Sequence, residues 1–255
     1  MTPLQTTPET LSAARIQTYR QQGFVKIPGI ITPEEAEEFR QDALALQGRM
    51  RSLHTGPIFT QLVNAWRESE TMGRLTLHPN VAGVAEKLAG VPLRIWHDHL
   101  LIKQPHNKAA TEFHQDRPYW PHTNQRHSLS AWIALVDVPV ERGCMTFIPG
   151  TQGRTDLRPQ NLADEDDLLA LWPDLAYEPR VTLPLRAGDC TFHNGFTAHM
   201  AHANDTDIAR VAHIIVYMDA ETVYTGARHP VTDPLGLTAG VTLAGEMFPR
   251  VGLSA

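Results

Sequence analysis

The sequence predicts a mainly β protein, a sandwich or barrel with helices added at its N-terminal end. Two observations predict it. After Gly90, short apolar and β-branched runs recur between Pro, Gly and Asn, at 93–103, 128–138, 145–148, 181–185, 189–193 and 210–218. Several alternate with period two, and short strands at regular spacing are the pattern of a sandwich or barrel. Before Gly90, by contrast, the chain carries helical start and stop signals. No composition break demands a second unit, so the 255 residues are expected to form a single domain. It would comprise a helical part over about 8–90, a β core over about 91–220 and a tail over 221–255.

Each element has a local reason. Residues 9–22 place Leu11, Ala14, Ile16 and Tyr19 at helical spacing, and Gly23 closes the helix. A short apolar strand follows at 24–27. Thr32-Pro33-Glu34-Glu35 is a helix start: threonine caps, proline fits the first helical position, and the acids oppose the helix dipole. That helix is expected to reach about residue 46. Two shorter helices are expected at 68–77 and 80–88, the second stopped by Gly90. Within the β region, 161–178 is acidic and mostly polar, and reads as a loop with a short helix.

Composition narrows the function. A hydrophobic fraction of 42% is too high for a disordered chain. No apolar run approaches the ~20 residues that span a bilayer, and the first residues show no basic-then-apolar signal. A cytoplasmic protein without a membrane partner is therefore expected. Net charge is 22 − 28 = −6, and no cluster of five or more Lys/Arg occurs, which argues against nucleic acid. Cys144 and Cys190 lie far apart inside apolar runs, as reduced core thiols would. The unusual feature is 13 histidines, most of them between His97 and His213, which justifies a search for a metal site.

That search centres on Phe113-His114-Gln115-Asp116. Residues i and i+2 of an extended chain share a face, so His114 and Asp116 present an imidazole and a carboxylate together. Pro118 breaks the segment, which puts the pair near a strand end or loop. A non-haem iron site needs two histidines and one carboxylate, and the best source of the second histidine is the stretch 188–199, ending in His199. Arg210 opens the last long strand. Facing the interior, it would need a carboxylate or phosphate partner. His97, His99, His193 and His202 are rivals, read first as surface or hydrogen-bonded strand histidines. Tyr119, Trp120 and Pro121 are placed to form an apolar wall against a substrate, and 107–111 to form part of a lid.

These residues, in this order and spacing, resemble the phytanoyl-CoA dioxygenase (PhyH) family of iron(II)/2-oxoglutarate oxygenases. The resemblance runs over roughly 16–219. It rests on Tyr19-Arg20-Gln21-Gln22-Gly23-Phe24-Val25 with Pro28-Gly29, on His97-Asp98-His99-Leu100-Leu101-Ile102-Lys103, and on the His-x-Asp segment. It continues through Ala131-Trp132-Ile133-Ala134-Leu135, Gly143-Cys144-Met145-Thr146-Phe147-Ile148-Pro149-Gly150-Thr151, and His199-Met200-Ala201-His202-Ala203-Asn204 with Arg210.

The resemblance implies a double-stranded β-helix, the cupin-like jelly roll, with the N-terminal helices packed on one sheet. It implies iron(II) on His114, Asp116 and His199, and 2-oxoglutarate anchored by Arg210, with Lys103 and Trp132 lining its pocket. It also implies O2 as oxidant. The reaction would be hydroxylation of an unactivated C–H bond of a small-molecule metabolite, releasing succinate and CO2, with Tyr119, Trp120 and His97 as substrate contacts. One departure stands out: Ala201 occupies a position where many members carry Ser or Thr. Two alternatives stay open, a zinc-dependent hydrolase and a non-catalytic metal- or ligand-binding jelly roll, although no H-E-x-x-H helix is present.

Overall fold

The computed structural model describes residues 11–53, 58–123, 125–155 and 158–252. Helices fill the first third: α1 (Ala13–Gln22), α2 (Pro33–Gln47), α3 (Ala65–Glu68), α4 (Glu70–Thr76) and α5 (Pro79–Ala89), interrupted by strands β1 (Phe24–Ile27) and β2 (Thr60–Val63). The caps are those the sequence announces. Ser12 accepts from Arg15 N, and Gly23 ends α1 at φ 85. A Cβ on Gly23 would lie 2.4 Å from Thr197 Oγ1, so both conformation and space demand glycine. Thr32 and Glu35 form a reciprocal capping box on α2. The helix expected at 68–77 is split. Ser69 is extended and its hydroxyl caps Met72 N at 3.3 Å, which restarts the chain as α4.

The β region holds β3 (Leu93–Lys103), β4 (Thr111–His114), β5 (Leu129–Ala134), β6 (Met145–Phe147), β7 (Val181–Leu183), β8 (Cys190–Asn194), β9 (His199–Ala201), β10 (Arg210–Asp219) and β11 (Arg250–Val251), with α6 (Asp167–Leu171) between β6 and β7. They form two antiparallel sheets. The larger has the order β1-β8-β5-β10-β3-β11, with β2 also paired to β3; the smaller is β4-β9-β6-β7. The two sheets face each other as an open jelly roll, the fold the resemblance implied.

Period-two alternation divides the large sheet between two cores. Ala131, Ile133, Val211, Ile215 and Tyr217 point outward and are covered by Phe39, Leu75, Val84 and Leu88 of the helices. Trp132, Ala134, Ala212, Ile214 and Val216 point inward and meet Met145, Phe147 and Ala201 of the small sheet.

Further elements differ from expectation. The strand expected at 128–138 is regular only to Ala134; beyond it Val138 makes a lone bridge with Leu185. β2 and β11 were not foreseen, because four and two residues carry too little pattern; both find partners on β3. The segment after residue 220, expected only as a tail, buries Val231, Leu243, Phe248 and Val251. The acidic stretch 161–178 does hold a short helix, but it also buries Leu168 and Leu175 against Phe113, Ile148 and Ala198. Cys144 and Cys190 are buried free thiols. Among the described residues no helix is long and apolar enough to cross a membrane.

Candidate active site

β4 and β9 are neighbours in the small sheet, and their register sets His114 directly opposite His199. The chain leaves β4 into a tight 3-10 turn, Arg117–Tyr119, which swings Asp116 back over the pair. Asp116 Oδ1 then lies 3.5 Å from His114 Nε2 and 3.8 Å from His199 Nε2. One ligand atom from each of the three residues falls within 4.8 Å of the others, a spacing that suits one metal ion.

The tautomers fit that use. His114 Nδ1 sits 2.7 Å from Glu112 O, and His199 Nδ1 3.0 Å from Thr197 O. A carbonyl only accepts, so each Nδ1 carries the proton and each Nε2 keeps its lone pair toward the centre. Burial pushes His199 down to about 3, with the neighbouring His114 adding to it, so the ring is neutral at physiological pH. Burial alone would raise Asp116; the imidazoles of His199, His114 and His193 more than reverse this and leave the carboxyl well below its usual range. Two neutral imidazoles and one carboxylate make the donor set of a non-haem iron site.

The large sheet holds the carboxylate from behind. Ser130 Oγ donates to Asp116 Oδ2 at 3.1 Å, and His193 Nε2 reaches the same oxygen at 3.3 Å. Oδ1 is thereby left to face the histidines. Beneath, Gln115 is sealed from solvent and its Nε2 donates to Arg154 O at 3.0 Å and to Phe196 O. Thr151 Oγ1 accepts from Ala198 N at 2.8 Å, and so ties the Pro149-Gly150-Thr151 turn to the residue before His199.

Arg210 is 1% exposed and lies on the inward face of β10. Nη1 donates to Gly143 O at 3.3 Å; Nε and Nη2 have no partner among the described residues. Its guanidinium stacks over Trp132 at 5.4 Å. Burial lowers its pKa to about 10, which leaves it charged. An almost sealed cation with two unpaired nitrogens is the feature an anionic ligand would complete.

Lys103 was expected beside it and is not in the cavity wall. It is fully buried, and Nζ donates to Ala109 O at 2.8 Å, His202 O at 2.9 Å and Ala201 O at 3.4 Å. Its amine is surrounded by backbone carbonyls. Burial lowers it to about 6, helped by Arg210. Those bonds also tie down the 107–111 segment, where Asn107 bridges Asn204, so it is an anchored turn and not a lid over the metal.

Arg210, Trp132 and the three ligand residues open into one cavity of about 720 Å³, also lined by His97, Tyr119, Trp120 and His193. Ala201 and its cross-strand partner Thr111 line it together, and Thr111 brings a buried hydroxyl to that wall. His202 is not in this wall and pairs with Thr146 Oγ1 at 2.8 Å. Two other contributors have no signal in the sequence: Phe59, Gln61 and Val63 around β2, and Ala227, Arg228, His229, Pro230 and Val231 after β10. His229 was visible only as one more histidine, and nothing local marks a loop that returns to a pocket.

Fold and site together define a jelly-roll protein with a two-histidine, one-carboxylate metal centre. The phytanoyl-CoA dioxygenase (PhyH) family model matches residues 19–212, and the chain belongs to that family. Among solved structures it is similar to the "non-heme alpha ketoglutarate dependent carbocyclase SnoK from nogalamycin biosynthesis", at 39% identity and TM-score 0.85 over 95% of this chain and 97% of that one. It is also similar to "the epimerase SnoN in complex with Fe3+, alpha ketoglutarate and nogalamycin RO", at 39% identity and TM-score 0.82 over 93% and 97%. L-proline trans-4-hydroxylase of Streptomyces griseoviridis is 27% identical over 141 residues, 52% of this chain and 53% of that protein. The chain spans about half the length of the curated relatives it matches first.

Proposed function

We propose that this protein is an iron(II)- and 2-oxoglutarate-dependent oxygenase that hydroxylates an unactivated C–H bond of a small molecule. His114, Asp116 and His199 hold the iron, and Arg210 holds the far carboxylate of the cosubstrate. The observation that carries this reading is Arg210: a buried guanidinium with two unpaired nitrogens, opening into the same cavity as the metal donor set. A zinc hydrolase or a passive jelly roll would need a separate anionic ligand to complete it. Iron with 2-oxoglutarate and O2 would supply the oxidising power, with succinate and CO2 as co-products; the protein supplies position and exclusion of water.

In this reading Ser130 and His193 hold Asp116 so that one oxygen serves the metal. Trp132 keeps the Arg210 guanidinium oriented through its ring face. Thr111 offers the hydroxyl that Ala201 lacks. Tyr119 and Trp120, both against the cavity, confine the substrate; Tyr119 is itself fixed, its hydroxyl donating to Gln160 O. The similarity to proteins named carbocyclase and epimerase, at 38–39% identity, favours a second outcome from the same site. Product mass separates them: hydroxylation adds one oxygen atom, ring closure removes two hydrogens, and epimerisation changes nothing.

The site assignment is tested by metal content. His114→Ala and Asp116→Ala are each expected to lose iron while circular dichroism shows an intact fold. Stoichiometric iron in either purified variant would remove the assignment. Wild-type protein is expected to convert 2-oxoglutarate to succinate in air only when iron is present.

A further inference from the structure

The end of the cavity away from Arg210 carries a second group of histidines. A β-bulge in β3, where the register with β10 slips between Val216 and Tyr217, turns Trp96 and His97 to the same inner face. His97 Nδ1 lies 3.3 Å from Asp98 O and 3.3 Å from His99 Nδ1. The carbonyl fixes the proton on Nδ1, which leaves His97 Nε2 a bare acceptor. His229, on the loop after β10, accepts from Val231 N at Nδ1, 3.2 Å away, so its Nε2 carries the proton and donates. The two rings face one another with centroids 6.1 Å apart. Neither Nε2 has a protein partner among the described residues.

Burial holds both rings in the neutral form, with His229 down to about 4 and His97 well below its usual value. The rest of this end is mostly hydrocarbon, Val63, Leu101, Trp120, Ile214 and Val231, with two further polar groups, the His99 ring and the Gln61 amide, beside them. Asp116, Arg210 and Arg228 are the only charged side chains among the described lining residues. The first two belong to the metal and the cosubstrate. Arg228 is 89% exposed at the rim and pairs with Asp233 at 2.9 Å. No charge is left inside to meet a charged substrate, and an unpaired ion would lose its hydration there uncompensated.

We infer that the enclosed part of the substrate is an uncharged polycyclic or comparably bulky hydrocarbon frame bearing a hydroxyl, and that this hydroxyl donates to His97 Nε2 and accepts from His229 Nε2–H. The inference rests on the oxygenase reading for the occupancy of Arg210. It separates this cavity from one made for an amino acid or an acyl thioester phosphate, each of which needs buried charge. A neutral imidazole pair distinguishes a hydroxyl from an ether, because an ether cannot donate and leaves the His97 acceptor unsatisfied.

Four matched probes on one three-ring frame test it: 9-anthracenemethanol, 9-(methoxymethyl)anthracene, 9-anthracenecarboxylate and 9-(aminomethyl)anthracene. Each is titrated under nitrogen into protein loaded with Fe(II) and saturated with 2-oxoglutarate, so that Arg210 is occupied. The alcohol is expected to bind at least about tenfold more tightly than each of the other three. His97→Phe should erase the alcohol–ether difference, His229→Phe should reduce it, and His97→Gln should keep most of it. Equal binding of alcohol and ether, tighter binding of either ion, or no binding of the alcohol overturns the inference. Calorimetric titration of 2-oxoglutarate in the same samples separates the two readings: if 2-oxoglutarate does not bind, the oxygenase reading fails, whatever the anthracenes do.

Discussion

The three metal-site residues differ in how far the sequence shows them. His114 and Asp116 share a face because a strand has period two, and that needs no tertiary knowledge. His199 was read as the best source of the second histidine, but the pairing of β4 with β9 that sets it opposite His114 has no local signal. The hold of His193 on Asp116, across 77 residues, left no trace in the chain. Lys103 misled for a physical reason: a lysine ending an inward-facing strand beside an arginine looks like an anion site, yet backbone carbonyls absorb it. These assignments predict that Arg210, and not Lys103, sets cosubstrate affinity. Truncating one partner of a buried charged pair costs about 2–5 kcal/mol. Arg210→Ala is therefore expected to raise the 2-oxoglutarate dissociation constant about 30-fold or more, with iron content unchanged. Arg210→Lys should recover only part, because lysine keeps the charge and loses the fork. If Arg210→Ala titrates like wild type, the anchor lies elsewhere; if it loses iron, Arg210 is structural.

At the scale of elements, β3 joins the two faces of the molecule. Its inner residues His97 and His99 line the cavity, while Asp98 between them points into the helical layer. There Thr76 Oγ1 donates to Asp98 Oδ2 at 2.7 Å and lies 2.9 Å from His213 Nε2, and Trp66 N donates to the same carboxyl oxygen at 3.0 Å. Asp98 and His213 stand 3.4 Å apart but are not an ion pair: burial lowers His213 to about 3, so the ring is neutral, and raises Asp98 to about 7, so the carboxyl is neutral in mildly acidic solution. Their contributions to stability have opposite signs. The neutral Asp98 carboxyl contributes most below 3.8, and its contribution is lost as pH rises through about 7. The neutral His213 ring contributes above 6.5, and its contribution is lost as pH falls toward about 3. Asp98→Asn removes the first. Its stability relative to wild type should therefore improve by roughly 2–4 kcal/mol from pH 4 to pH 8 in urea unfolding. A difference that stays flat with pH would show that Asp98 keeps its charge in the folded state. The sequence marked β3 over its full length but not this network, since an aspartate in mid-strand reads as a polar outer face until α3 and α4 cover it.

For the molecule as a whole, the cavity has two ends of different origin. The metal and cosubstrate end is built on paired strands, β4 with β9 and β10 with β5, and those strands were the readable part of the sequence. The substrate end is closed by pieces without regular pattern: β2 and its flank, the turn after Asp116, and the loop 227–231, whose Val231 shares a core with Phe248. Such segments take their conformation from what they cover, so neither their place nor their role could be read locally. The division predicts that the two ends can be altered separately. Val231 is 4% exposed, apolar and remote in sequence from every metal ligand. A larger side chain there should remove room from the hydrocarbon end and leave Arg210 and Asp116 untouched. Val231→Trp is expected to weaken 9-anthracenemethanol binding at least about tenfold, the effect of losing roughly 1.4 kcal/mol of packing. It should leave the much smaller benzyl alcohol within about threefold, by the same arithmetic, and the 2-oxoglutarate constant unchanged. Equal losses for both alcohols would mean that the substitution collapsed the loop and did not fill the cavity. A lost 2-oxoglutarate site would mean that the two ends are one cooperative unit and that the loop 227–231 helps to build the cosubstrate pocket.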